Sequence, residues 1–201
     1  LTRKQIKSAV ASLTIGSGSC AILLCDRELS QTGNRLLCGM ARANTAHHRL
    51  CHSGCDEAVA DGMRPLMQTD SERLMAEGIA TGAATFKFFL AEAGWSVDEL
   101  DKTVCHQVGA GHRKAMCEAL GIDQERDFAT LEWLGNTGSV ALPITLALAV
   151  EDGFIGSDEI VGLLGIGSGI NCVMLGVNWQ MSLAEPQSIS SPKLATVSPG
   201  E

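Results

Sequence analysis

Tyrosine is absent from this chain, and aromatic residues of every kind make up only 4% of it. Glycine (22 residues) and alanine are plentiful instead. The core must therefore be aliphatic, with helices packed closely on sheets. Basic residues are the scarcer sign: 15 Lys and Arg stand against 23 Asp and Glu, a formal net charge of −8. A protein that grips nucleic acid carries a basic stripe. Here Arg113-Lys114 is one of few local pairs, which argues against nucleic acid as a partner. Cys51, His52 and Cys55 lie close together, but no second ligand pair follows at a zinc spacing. His47 and His48 extend that group, and a surface loop explains it as well as a metal does. We expect neither metal nor cofactor.

Long apolar runs free of breakers are missing too. Arg3, Lys4 and Lys7 precede an uncharged stretch over 8–25 that imitates a signal peptide. Gly16-Ser17-Gly18-Ser19 interrupts it. Residues 133–150 are uncharged and long enough on paper to cross a bilayer. Asn136 and Pro143 within them indicate a buried helix instead. The reading is of a chain without a membrane span, placed in the cytoplasm.

What is present fits a globular protein. Of 201 residues, 45% are hydrophobic and 19% charged, enough for one ordinary domain or slightly more. The eight Cys are 20, 25, 38, 51, 55, 105, 117 and 172. A chain of this size has no need of a disulfide framework, so most read as buried thiols.

The sequence also echoes itself. IGSGSCAILL at 15–24 is matched by IGSGINCVML at 166–175. Each copy reads as a Gly-rich turn followed by an apolar β run. If each closes a structural half, the residues between them form one complete half of roughly 150 residues, a usual domain size. Residues 1–30 are then the tail of a preceding half, 31–182 a complete half, and 183–201, rich in Ser and Pro, a disordered tail. With no initiator Met, the chain is expected to be a fragment.

Between the copies, helices alternate with strands, the mark of an α/β fold. Residues 1–10 read as the end of a helix, 20–25 as a strand and 26–55 as irregular. Thr69-Asp70-Ser71-Glu72 fits a capping box. The helix after it carries Met75, Ile79, Ala83, Phe86 and Leu90 on one face, and Gly78 and Gly82 permit a close contact. Ser96-Val97-Asp98-Glu99 is a second cap. A strand ends at 103–106, a helix spans 110–120, and Gly121 caps it. An apolar helix covers 139–151, and 159–166 and 171–178 form a terminal antiparallel pair, making the sheet mixed.

His106 stands at a strand end and opens a Gly-rich loop, a place where reactive groups are presented. A buried His bonded to backbone is the alternative. Asn136, in Gly135-Asn136-Thr137-Gly138-Ser139, reads first as a helix N-cap and second as an amide that polarises a carbonyl. Gly165, Gly167, Ser168 and Gly169 lack the nucleotide fingerprint and a following helix. They read as a turn lining a site. Phe86, Phe89 and Met75 read as core, with an acyl channel as the other possibility. Arg113 and Lys114 are either a phosphate contact or a solvated helix face.

Three motifs in order, His106-Gln107, GNTGSVALP at 135–143 and GIGSGINC at 165–172, resemble the C-terminal half of ketoacyl-ACP synthase III and its thiolase-superfamily relatives. The resemblance covers roughly 1–180. Leu50-Cys51, MQTDSERLMAEGIATGAATF at 67–86, HQVGAGH at 106–112 and LLGIGSGINC at 163–172 resemble the OleA-type condensing enzymes of olefin pathways more closely. The usual ketoacyl synthase III has Ala-Asn where this chain has Val108-Gly109.

The resemblance implies a thiolase-like fold, layered α-β-α-β-α from two similar halves, usually as a homodimer. It implies acyl-CoA or acyl-carrier-protein thioesters as partners, and a Claisen condensation on a Cys-His-Asn site. His106 and Asn136 match the His and Asn. No Cys here matches the nucleophile, which is expected from an upstream half, in the same or a separate chain. The base that removes an α proton in the OleA type is expected outside this segment as well. Two other readings stand beside this one: a ketoacyl synthase III that starts fatty-acid synthesis with malonyl carrier protein, and a non-catalytic subunit or relic lacking the nucleophile.

Overall fold

The computed structural model of the chain describes residues 13–53 and 67–183. The predicted N-terminal helix end, Cys55 and nearly all of the predicted tail lie outside them. The strands are β1 (Arg35–Ala43), β2 (Cys51–Ser53), β3 (Met67–Thr69), β4 (Lys102–Cys105), β5 (Glu159–Gly167) and β6 (Asn171–Trp179). The α-helices are α1 (Ser71–Ala93), α2 (Ala110–Leu120), α3 (Leu131–Leu134) and α4 (Ala141–Glu151).

Four strands form one sheet in the order β1-β6-β5-β4. Only β4 and β5 run parallel; β5–β6 and β6–β1 are antiparallel. The sheet is mixed, as expected. Along β5, alternate side chains enter opposite cores, as a period of two requires. Leu164 packs with Phe86 and Phe89 of α1 and Met116, Cys117 and Leu120 of α2. Val161 and Leu163 pack with Ala149 and Val150 of α4. The described residues are thus three layers, helix on sheet on helix. Full burial of Phe89 contributes roughly 2–3 kcal/mol.

Both predicted caps exist, one of them shifted. Ser96 and Glu99 make a reciprocal capping box. At α1 the cap is Asp70, whose carboxylate accepts from Arg73 N at 3.3 Å. Thr69 instead ends β3 and donates to Cys51 Sγ. The buried face of α1 is also rotated from the predicted one. It carries Gly78, Thr81, Gly82, Thr85, Phe86 and Phe89, while Met75 is 40% exposed. Gly82 sets the rotation: a Cβ there would lie 3.2 Å from the Met116 side chain, the close helix contact expected of it. This face makes α1 a core helix, although its length and apolarity also suit a bilayer.

Two expectations fail. Residues 26–55 are not simply irregular, since β1 pairs with β6 over most of its length. Its burial is slight and Arg35 and Arg42 sit in it, as suits an edge strand. Conversely, 20–25 is not a strand, and the two halves of the echo differ. The second copy lies between neighbours that satisfy its backbone. The first makes a single bridge, Ile15 to Asn136; its residues 20–25 have no ladder partner among the described residues, and a lone strand has nothing to hold it extended. Ile22, Leu23 and Leu24 are 68–88% exposed, and Cys20 and Cys25 are exposed rather than buried.

Gly176 of β6 tests the packing of the sheet. A Cβ on it would lie 2.6 Å from Trp95 Cζ3 and 2.7 Å from Cys38 Sγ. Gly176→Ala is expected to cost about 1–3 kcal/mol through overpacking, read as a lowered midpoint in thermal or urea unfolding.

Candidate active site

β4 ends at Cys105, paired with Leu164 of β5. The next residue, His106, still donates its backbone N–H to Leu164 O at 3.0 Å. That bond places His106 at the C-terminal end of two parallel strands, where open α/β sheets bind ligands. Its ring makes no hydrogen bond among the described residues. The alternative of a ring bonded to backbone is not met. Burial, and then the nearby His112, push its pKa down to about 4. At neutral pH His106 is an uncharged imidazole with one N–H to donate. Burial also lowers the pKa of His112, whose Nδ1 is buried without a hydrogen-bond partner among the described residues.

These shifts predict a pH dependence of stability. The folded-state pKa of His106 is depressed below the ordinary value of 6.5. Between about pH 6.5 and 4 the unfolded chain takes up a proton that the folded chain refuses. Stability is therefore fully present above that window and falls as pH drops through it, by on the order of 3 kcal/mol from His106. Urea midpoints at pH 7 and pH 4.5 should differ less in His106→Gln than in the unsubstituted protein. Equal differences would remove His106 as the cause.

Asn136 is held by three hydrogen bonds, two of which make its bridge to Ile15. Its N–H donates to Thr14 O at 2.8 Å, its C=O accepts from Gly16 N at 2.9 Å, and Ile15 bridges it in parallel. Its side-chain Oδ1 accepts from Gly138 N at 3.0 Å. With Oδ1 occupied, the amide orientation is set and Nδ2 is left to donate. Asn136 is not the predicted N-cap: Thr137 precedes the short 3-10 turn Gly138–Val140, and Asn136 closes a turn on Gly138. Gly135 ahead of it has φ 69°, and a Cβ there would lie 2.7 Å from Thr14 O.

The Gly-rich turn meets the same region. Gly165 follows the residue paired with Cys105, and a Cβ on it would lie 3.6 Å from Leu142 in the first turn of α4. Gly167 and Ser168 are exposed, and Gly169 has φ 132°. Asn171 Nδ2 donates to Ser168 O. Ile170 exchanges two backbone bonds with Asn44, whose side chain donates to Thr81 on α1. This turn is braced by the loop that carries the histidines.

Two anchors behind His106 were not apparent from the sequence. Gln107 makes four side-chain bonds to the 128–145 segment. Asp127 is a buried carboxylate that accepts from Cys105 N at 3.0 Å, Thr103 Oγ1 at 3.2 Å and Arg113 Nε at 2.7 Å. Arg113 also donates to the backbone oxygens of Gln124 and Asp127. Arg113 thus serves as a structural cation rather than as part of a solvated face. Lys114 is exposed and lies 3.9 Å from Glu118, as on a solvated face.

His47 and His48 turn to different partners. His47 Nε2 lies 3.2 Å from Glu77, and His48 bonds to Thr45 O. Among the described residues, the cluster with metal-ligand chemistry is Cys105, Cys117 and Asp127, with donor atoms within 4.8 Å of one another. The Arg113 guanidinium already supplies positive charge there, and hydrogen bonds account for the arrangement. A hydrogen bond with Cys117, together with burial, raises the pKa of the Cys105 thiol. Burial raises that of Cys172 and of Cys38. Phe86 and Phe89 are core residues, as first read.

Comparison with known proteins shows what the chain is similar to. Residues 90–179 match the model of the 3-oxoacyl-[acyl-carrier-protein] synthase III C-terminal domain. The acyl-CoA:acyl-CoA alkyltransferase of Shewanella oneidensis is 41% identical over 181 residues, covering 89% of this chain and 52% of that protein. Its namesake from Xanthomonas campestris is 34% identical, with 89% and 50% covered. Beta-ketoacyl-[acyl-carrier-protein] synthase III 2 of Bacillus subtilis matches more narrowly, at 35% over 96 residues, 48% of this chain and 30% of that one. A crystal structure of Xanthomonas campestris OleA with bound lauric acid and lauroyl-CoA superposes with a TM-score of 0.75 at 32% identity, covering 89% of this chain and 50% of that one. The chain spans about half the length of the curated relatives it matches. By sequence and by fold the chain is similar to the C-terminal portion of OleA-type, ketoacyl synthase III-like proteins, and its described residues share their thiolase-like fold.

Proposed function

We propose that this chain is the C-terminal part of a condensing enzyme that joins two long-chain acyl-CoA molecules head to head, giving a β-ketoacyl product. In this reading residues 31–182 are the complete C-terminal half and 1–30 the end of the preceding half. The protein works in the cytoplasm as a homodimer. The nucleophilic Cys lies outside this sequence.

The observation that supports the reading is that both motif residues keep an unengaged donor, the neutral ring of His106 and Nδ2 of Asn136, on backbones held by hydrogen bonds. A Cys thiolate attacks the first acyl thioester and expels CoA thiolate. The second acyl-CoA gives up an α proton to a base. As its carbonyl oxygen gains charge, His106 and Asn136 donate to it, as in an oxyanion hole. The enolate carbon attacks the acyl-enzyme, and the Cys thiolate departs. Gly165, Gly167, Ser168 and Gly169 form the turn that lets the substrate approach. Cys105 and Cys172, whose thiol pKa values are raised, are not prone to ionise and are poor candidates for the nucleophile.

A second reading uses malonyl carrier protein in place of the second acyl-CoA, in line with the narrower match to ketoacyl synthase III. The test is the intact denaturing mass of the natively produced protein, before and after exposure to a long-chain acyl-CoA, with product analysis. An acyl adduct and a β-keto product from acyl-CoA alone are expected. Product only with malonyl carrier protein would favour the second reading. No adduct would leave a non-catalytic subunit or relic.

A further inference from the structure

Gln107 follows His106 and is 3% exposed. Its Oε1 accepts from Thr130 N and Leu131 N, both at 2.8 Å. Its Nε2 donates to Phe128 O at 3.2 Å and to Thr145 Oγ1 at 3.4 Å. One carboxamide thus has both lone pairs and both N–H groups in use, the full capacity of the side chain. The two backbone donors leave no choice about which end is oxygen. Thr130 and Thr145 are buried and share a 2.7 Å bond, which closes the network onto α4.

The segment that Gln107 grips leads directly to Asn136. Leu134 N bonds Thr130 O and Gly135 N bonds Leu131 O, so a single rigid turn separates the gripped amides from Gly135. Between His106 and Asn136 there is one peptide bond, one side chain and one helical turn. By contrast, the chain between them runs through α2 and the 121–129 loop, a path too long to hold a spacing by itself.

We propose that Gln107 is a positioning residue that sets the placement of Asn136 relative to His106 through the N-terminus of α3. Its kinetic consequence rests on the function proposed above; its structural consequence does not. Leucine fills the volume but leaves two helix N–H groups and the Phe128 carbonyl unpaired. Glutamate keeps the two acceptor bonds and, when ionised, loses both donors.

The experiment uses the full polypeptide with its nucleophile, carrying Gln107→Leu, Gln107→Glu, Asn136→Ala and the Leu/Ala double substitution. In Gln107→Leu, condensation kcat is expected to fall ~100-fold, the scale of a 1 Å misplacement, with acyl-enzyme formation and KM little changed. In the Asn136→Ala background the same substitution should cost little more, because two residues acting as one unit are non-additive. Gln107→Glu should regain activity as pH falls and its carboxyl recovers a donor, a trend absent from the unsubstituted protein. A crystal structure of Gln107→Leu should show Asn136 displaced relative to His106. Unchanged spacing, unchanged kcat, or equal losses in both backgrounds would overturn the proposal. If Gln107→Leu does not fold, Gln107→Glu and its pH profile decide. If the unsubstituted protein makes no condensation product, the functional reading fails, while the displacement of Asn136 still decides this one.

Discussion

Asn136→Ala is expected to lower the condensation rate by about 10²–10³-fold while leaving acylation of the nucleophile nearly intact. The bonds that the Asn136 amide makes are the reason. Its oxygen is committed to Gly138 N, and the backbone on both sides is fixed by Thr14 and Gly16. Only Nδ2 remains for a substrate. A donor held rigid before reaction costs no reorganisation when charge develops on the carbonyl oxygen, which is why one such bond contributes so much. The first half-reaction uses the Cys and its own surroundings, so adduct formation by mass should survive. His106→Ala should behave alike. Because the His106 pKa lies near 4, its titration should leave activity flat from about pH 5.5 to 8. A parallel loss of adduct and product in Asn136→Ala would mean a folding defect, and full activity would remove the residue from the chemistry.

Asp127→Ala is expected to be the most destabilising single change at the site, costing roughly 3–5 kcal/mol. The Asp127 carboxylate is fully buried and accepts from Arg113, Cys105 N and Thr103 Oγ1. Removing it leaves a guanidinium without its partner and buried donors without acceptors, and each of these carries a desolvation cost. Asp127→Asn keeps the shape and loses the charge, so it should fall between. Urea unfolding at pH 7 measures both. A loss below about 1 kcal/mol in Asp127→Ala would show that water reaches the pocket and that the anchor is dispensable. Because Asp127 holds the residue before His106, any folded Asp127→Ala protein should also be impaired in condensation.

Much of this molecule was legible because its signals are local. A capping pair three residues apart, a Gly after a helix, or an apolar run broken by a Gly-rich turn acts over one or two turns of chain. The helix at Ala110–Leu120, its cap Gly121, the Ser96–Glu99 box and the final hairpin were all readable in this way. His106 and Asn136 stood out for the same reason, each set in a distinctive short motif. β1 was not legible. Its residues alternate poorly and carry charge, and its pairing with β6 joins residues far apart in the chain, from Arg35 with Asn178 to Ala43 with Asn171. The strand expected at 20–25 failed for the converse reason: apolar β-prone residues make a strand only where a neighbour supplies the ladder.

By itself the sequence determined the α/β class, the mixed sheet, the family resemblance and the two motif residues His106 and Asn136, because propensity, capping and motif order act within short windows. Only the tertiary structure decided what holds those residues. The Asp127–Arg113 anchor, the four bonds of Gln107, the rotated face of α1 and the grip of Thr14 and Gly16 on Asn136 all join distant parts of the chain. Their partners are ordinary Asp, Gln, Gly and Thr residues with no local pattern. A buried polar group draws its meaning from whichever donor or acceptor the fold brings within reach.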